Sequence, residues 1–166
     1  MPLSRQLTLW LTMSFPPRRV VTGIDASGRA TVTSDHVAAN GLSRRTGHRS
    51  CVLWSTNEVP AVITGERDEE PGLLQRSITS GTVFRIVEYG PGVASAPHQT
   101  QSIDYAVVIS GEIELVLDGQ TVRLSAGDTL IQRATAHDWV NNSENPCVIA
   151  FCLVGAVSPV AHRTVI

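Results

Sequence analysis

Two histidines in glycine-framed segments are the residues of this sequence best suited to chemistry. His98 stands in Gly92-Val-Ala-Ser-Ala-Pro-His98-Gln-Thr100-Gln-Ser-Ile-Asp104, and His137 in Gly127-Asp-Thr-Leu-Ile-Gln-Arg-Ala-Thr-Ala-His137-Asp-Trp-Val-Asn141. Imidazole titrates near neutral pH and binds transition metals, so two of them meeting beside a carboxylate would serve proton transfer or metal ligation. Asp104 is the carboxylate within the first segment. Short β-like runs lie between the two histidines, which places them on different strands whose side chains converge on one interior. Such an interior suits a small-molecule substrate.

The elements that would position them follow from turn chemistry and alternation. Strands are predicted at 82–89, 105–109, 112–117, 120–124, 129–133, 137–141 and 147–154, with turns at Gly90-Pro-Gly92, Ser110-Gly111, Asp118-Gly119 and Ala126-Gly127-Asp128. Upstream, Asp25-Ala-Ser-Gly28 joins Arg19–Ile24 to Arg29–Thr33 as a hairpin, residues 34–50 read as a polar loop, and Cys51–Trp54 as a short strand. The acidic stretch 64–72 reads as a solvated loop. The pattern is all-β, an antiparallel barrel or sandwich. Strand parity puts His98 with Thr100, Asp104 with Ala106 and Val108, and His137 with Trp139 and Asn141 on interior faces. Gln132 and Arg133 have opposite parity, so one of them enters the barrel; Arg133 would recognise a carboxylate if it did. Tyr105 falls outside.

The glycine and histidine framework resembles the two motifs of the cupin superfamily over residues 81–154. Gly92, His98, Asp104 and Gly111 fall at the spacings of the first motif, with Thr100 in place of its second histidine and Asp104 in place of its glutamate. Gly127, His137 and Asn141 match the second, with Arg133-Ala-Thr135 where the family has Pro-x-Gly and one residue fewer before the histidine. The resemblance implies a single cupin barrel (double-stranded β-helix, or jelly-roll) with an amino-terminal hairpin extension, and a homodimer. One structural domain is expected, made of an extension at 1–17, the hairpin, loop and accessory strands at 18–80, and the barrel at 81–166.

By that resemblance the chain is expected among tailoring enzymes acting on polyketide-like or organic-acid intermediates, as a lyase or isomerase. His98, His137 and Asp104 are the expected catalytic residues, and Thr100, Gln132, Trp139 and Asn141 the substrate-binding ones. The same His98, Asp104 and His137 could instead ligate iron, manganese, zinc or nickel, as in an Fe(II)-dependent dioxygenase. A metal-free acid–base site and a non-catalytic ligand-binding barrel remain open beside it.

Composition narrows the rest. All 13 basic residues are arginine, so a Schiff-base lysine, pyridoxal phosphate and a phosphate-loop lysine are excluded. No nucleotide-cofactor motif is present. A net charge of −2 with scattered arginines argues against nucleic acid as a partner. Three cysteines without CxxC spacing fit buried thiols and a cytoplasmic protein, and no apolar run is long enough to span a membrane. His36, His48 and His162 are expected in exposed or capping positions.

Overall fold

The computed structural model describes residues 15–63 and 80–157. The expectations for residues 1–14, the acidic stretch 64–72 and His162 lie outside them. The elements are β1 (Arg18–Ile24), β2 (Ala30–Val37), β3 (Leu42–Arg45), β4 (His48–Thr56), β5 (Thr82–Tyr89), β6 (Ser102–Ser110), β7 (Glu112–Leu117), β8 (Gln120–Ser125), β9 (Thr129–Arg133), β10 (Asp138–Val140) and β11 (Cys147–Gly155). They form a two-stranded sheet β1-β2, a three-stranded sheet β10-β7-β8, and a six-stranded sheet in the order β3-β4-β5-β11-β6-β9. Among the described residues no helix is long and apolar enough to cross a membrane.

Period-two burial explains how the larger sheets close on each other. On β5, Val83, Val87 and Tyr89 point inward, and on β11 so do Cys147, Ile149, Phe151 and Leu153. Facing them from the smaller sheet are Ile113, Leu115, Leu124 and Trp139, which completes the main core. The alternation expected for β6 is present: Ser102, Asp104, Ala106 and Val108 are buried, while Tyr105 is exposed. Tight turns between strands need left-handed backbone, and Gly111 supplies it with φ 76° where Pro146 O and the Cys147 Cα leave no room for a Cβ.

A second, smaller core lies on the outer face of the six-stranded sheet. Ala38, Cys51, Leu53, Ile86 and Val148 form it, with Phe15 and Ala150 packed against it. The hairpin β1-β2 is fastened there by Arg19, which is buried and donates from Nε to the Leu53 carbonyl at 2.7 Å. Its guanidinium lies 5.5 Å from the centre of the Trp54 ring.

Residues 34–50 are not the loop expected from their polarity. β2 runs on to Val37, and β3 and β4 form a hairpin that turns at Gly47, φ 75°. Main-chain pairing sets such a ladder, and β3 lies at the sheet edge, where polar side chains meet water without cost to the pairing. His36 accordingly sits on β2, and His48 on β4 opposite Tyr89, their rings 5.3 Å apart edge to face.

Candidate active site

The segment 92–98 runs antiparallel beside 137–141. Gly92 N donates to Asn141 O at 2.8 Å, Ser95 N to Trp139 O at 2.8 Å, and His98 and His137 exchange reciprocal N–H···O bonds of 2.9 Å. This places the two imidazoles with ring centroids 4.2 Å apart and planes inclined at 52°. The surrounding bonds also assign their tautomers. His98 Nδ1 meets Ala96 O at 2.9 Å and His137 Nδ1 meets Thr135 O at 2.9 Å; a carbonyl only accepts, so each Nδ1 carries the proton. That leaves Nε2 of each ring as the second nitrogen, and among the described residues neither Nε2 makes a hydrogen bond. His137 is buried, and that burial, the largest influence on it, lowers its pKa from 6.5 to about 4, so it is a neutral base at physiological pH.

Asp104 lies on the inner face of β6 and is buried. Ser102 Oγ donates to its Oδ1, and Thr100 Oγ1 to its Oδ2 at 3.3 Å. Burial outweighs these hydroxyls and raises the carboxyl pKa above its ordinary value. Gln132 is its direct cross-strand partner on β9 and is also buried. The Gln132 Nε2 makes long contacts to Thr135 O and Oγ1, at 3.5 and 3.4 Å, while its Oε1 is buried without a hydrogen-bond partner.

Residues 85–154 match the family model described as "Cupin domain". The sequence is 38% identical over 140 residues to the phomopsin biosynthesis cluster protein C' of Diaporthe leptostromiformis, covering 76% of this chain and 71% of that protein. The chain is a cupin. It is also 36% identical over 137 residues to a cupin-domain-containing oxidoreductase of Aspergillus ruber, covering 76% of this chain but only 65% of the relative's length. Among solved structures, the cupin domain of Schizosaccharomyces pombe Cnp3 superposes with a TM-score of 0.52 at 12% identity, covering 82% of this chain and 86% of that one. This last likeness is one of fold.

Within this cupin the anticipated residues divide. His98 and His137 meet, and Thr100 joins Asp104 and Ser102 in one buried hydrogen-bonded group. Trp139 is fully buried, 6.1 Å from the His137 ring and 5.6 Å from that of Phe151, both edge to face. Its indole is therefore core that supports the histidine. Asn141 shapes a turn: its Nδ2 donates to Tyr89 O at 2.8 Å and Asn145 O at 2.9 Å, and its Oδ1 accepts from Ser143 N and Oγ. With every amide bond committed, it presents nothing to a ligand. Gln132 enters the interior and Arg133 faces out.

The three-ligand metal set does not form. Among the described residues no three His, Cys, Asp or Glu side chains gather as a metal site. Each Asp104 oxygen accepts one hydroxyl proton in this arrangement. The cysteines offer no nucleophile either: burial pushes the Cys147 thiol up to about 12 and raises Cys152 as well, and Cys51 is buried with its Sγ donating to Asn40 Oδ1 at 3.0 Å.

One interior residue was not anticipated. Arg85 shares the inward parity of Val83 and Val87 on β5, and its guanidinium carbon lies 5.4 Å from the centre of the Phe151 ring. Its charge opposes the rise that burial imposes on the pKa of Asp104 and Tyr89, and adds to the lowering that burial imposes on His137. The signal was in the sequence: in Val83-Phe-Arg85-Ile-Val87, alternation alone aims the arginine inward.

Proposed function

We propose that this cupin is a tailoring enzyme that moves protons on a small, partly apolar organic acid or polyketide-like intermediate, with isomerase or lyase outcomes. The observation that carries the reading is the pair of imidazoles whose Nδ1 protons are fixed by backbone carbonyls while both Nε2 lone pairs stay available. His137 Nε2 removes a proton from a carbon beside a carbonyl, leaving an enolate. The proton returns at a second carbon, giving an isomer, or goes to a departing β-hydroxyl, giving water and an alkene. His98, 4.2 Å away ring to ring, serves as second acceptor and donor. Asp104, held by Ser102 and Thr100, positions the polar wall, and Gln132 offers an acceptor to the substrate.

An oxidative outcome is the second reading, favoured by the printed name of the Aspergillus ruber relative as an oxidoreductase. The compound accumulating in a strain that lacks the gene, incubated with purified protein with and without Fe(II) and oxygen, separates the two by mass. An unchanged mass, or loss of water or carbon dioxide, supports proton transfer; gain of oxygen or loss of two hydrogens overturns it. No conversion under any condition would leave a ligand-binding protein.

The assembly proposed is a homodimer through the outer face of the six-stranded sheet. Cross-strand register lines up Trp54, Phe84, Cys152, Tyr105 and Ile131 across five strands. Trp54, Phe84, Tyr105 and Ile131 are exposed, as are Val107 and Ile109 beside them. A contiguous apolar row of this breadth suits an isologous contact, in which the same patch serves both subunits.

A further inference from the structure

The turn that delivers His137 is held in an unfavourable backbone conformation. Between β9 and His137 the chain passes through Ala134, whose φ of 50° lies in the left-handed region that costs a residue with a Cβ about 1 kcal/mol or more. A residue stays there when its surroundings hold it. Ala134 N donates to Ser102 O at 3.2 Å, at the entrance of β6, and Ala134 O accepts from Gln99 Nε2 at 2.6 Å. Gln99 is the chain neighbour of His98 and is half-buried, so its amide crosses from the segment that carries one imidazole to the turn that carries the other, 35 residues away. The next carbonyl along, Thr135 O, meets His137 Nδ1 at 2.9 Å and takes its proton in hydrogen bonding. Reciprocal main-chain bonds fix the register of the two strands, but register does not decide how a ring is turned about its side-chain torsions. That falls to the Thr135 carbonyl. Ala134 O and Thr135 N share one peptide plane, so gripping that oxygen fixes the plane from which Thr135 leaves.

We propose that Gln99 is a positioning residue for the imidazole pair. Its amide holds the Ala134–Thr135 peptide plane, the left-handed turn is kept, and Thr135 O stays on His137 Nδ1, which leaves Nε2 as the nitrogen able to take a proton. Without this clasp Ala134 relaxes towards ordinary backbone, the Thr135 carbonyl leaves the ring, and Nδ1 and Nε2 share the proton as they do in an unconstrained histidine. Gln132 Nε2 adds contacts to the same Thr135 O and to its Oγ1, but at 3.5 and 3.4 Å they are too long to hold the turn by themselves. Gln99 thus acts through the turn and takes no part in the chemistry itself. The kinetic consequence rests on the reading of this pair as the acid–base site, whereas the tautomer of His137 does not.

The test is NMR of the full chain, with the imidazole nitrogen signals of His137 recorded at pH 7 beside kcat and KM on the compound identified by gene deletion. In the wild type a through-hydrogen-bond coupling is expected between the Gln99 side-chain amide and the Ala134 carbonyl carbon, and the His137 signals report a proton on Nδ1. Gln99→Met keeps the length of the side chain without its donor; the signals shift towards a mixture of both tautomers, and kcat falls about tenfold at unchanged KM, the worth of one hydrogen bond. Gln99→Lys, which keeps a donor, retains most of the Nδ1 tautomer. Ala134→Gly added to Gln99→Met restores it, because glycine holds left-handed backbone without strain. Absence of the coupling in the wild type overturns the proposal without requiring any variant to fold. So does a Gln99→Met protein whose His137 signals match the wild type, or a double variant whose tautomer is not restored. A shifted tautomer with unchanged kcat in Gln99→Met, while His137→Asn is inactive, removes Gln99 from the reaction and overturns it too. If the tautomer shifts as expected but His137→Asn keeps its full kcat, the clasp stands and the acid–base reading falls.

Discussion

Burial of His137 makes folding oppose its protonation, and this gives the protein a pH-dependent stability on the acid side. In the folded protein its pKa falls from 6.5 to about 4, chiefly through burial, whereas in the unfolded chain it returns to the ordinary value. Between these two pH values the unfolded chain binds a proton that the folded state refuses, so stability rises with pH across this window and is lost as pH falls through it. The difference amounts to about 2 kcal/mol lost between pH 7 and pH 5, and about 3 kcal/mol by pH 4. His137→Asn keeps a donor for the Thr135 carbonyl but has no titrating ring. Urea unfolding of both proteins at pH 7, 6, 5 and 4.5 should therefore give curves that converge on the acid side, with the wild type losing about 2 kcal/mol more than the variant. Groups common to both, Asp104 among them, cancel in the comparison. Parallel pH dependences for the two proteins would refute the claim that the folded state holds this imidazole neutral.

Further outcomes test the site, the turns and the assembly. Replacing His137 by Asn or His98 by Ala should lower kcat about a hundredfold or more with little change in KM, measured on the compound identified by gene deletion; an unaltered kcat would remove proton transfer from these residues. Gly119→Ala should cost only about 1 kcal/mol, because its φ of 78° is left-handed but nothing lies within 4 Å of the added Cβ. Gly81→Ala has the same φ but would set its Cβ 1.9 Å from Thr56 O, and thermal unfolding should show a loss beyond about 4 kcal/mol. Tyr105→Glu places a charge in the middle of the exposed apolar row, and sedimentation velocity should show a dimer becoming a monomer; a wild type that sediments as a monomer refutes the assembly.

Alternation and turn residues made most of the barrel legible. Asp104-x-Ala106-x-Val108 announced which face of β6 is interior, and Asp118-Gly119 and Gly127-Asp128 marked where strands reverse. The strands within 34–50 were hidden because pairing in an edge hairpin is made by the main chain, and Ser43, Arg45 and Arg49 carry no apolar period. At the site, the residues could be read but their bonding could not. That Thr100 and Ser102 both turn onto Asp104 depends on how the chain enters β6, which no spacing in the sequence specifies. Asn141 was readable in another sense: Asn-Asn-Ser-Glu-Asn-Pro is turn chemistry, and its own loop claims the amide before any ligand can. Arg85 is hard to read from residue type, because arginine is usually a surface residue, and only the period of the strand around it aims it inward.

The reciprocal 2.9 Å bonds between His98 and His137 are made by peptide groups, not by the rings. Removing either imidazole therefore leaves the two strands, and the remaining imidazole, in register. Position and reactivity are separable here: the backbone acts as a socket with two addresses, and the side chains are its interchangeable contents. A carboxylate or a thiol installed at either address would start from the same backbone separation, which makes this pair of positions the natural place to write new chemistry into the barrel.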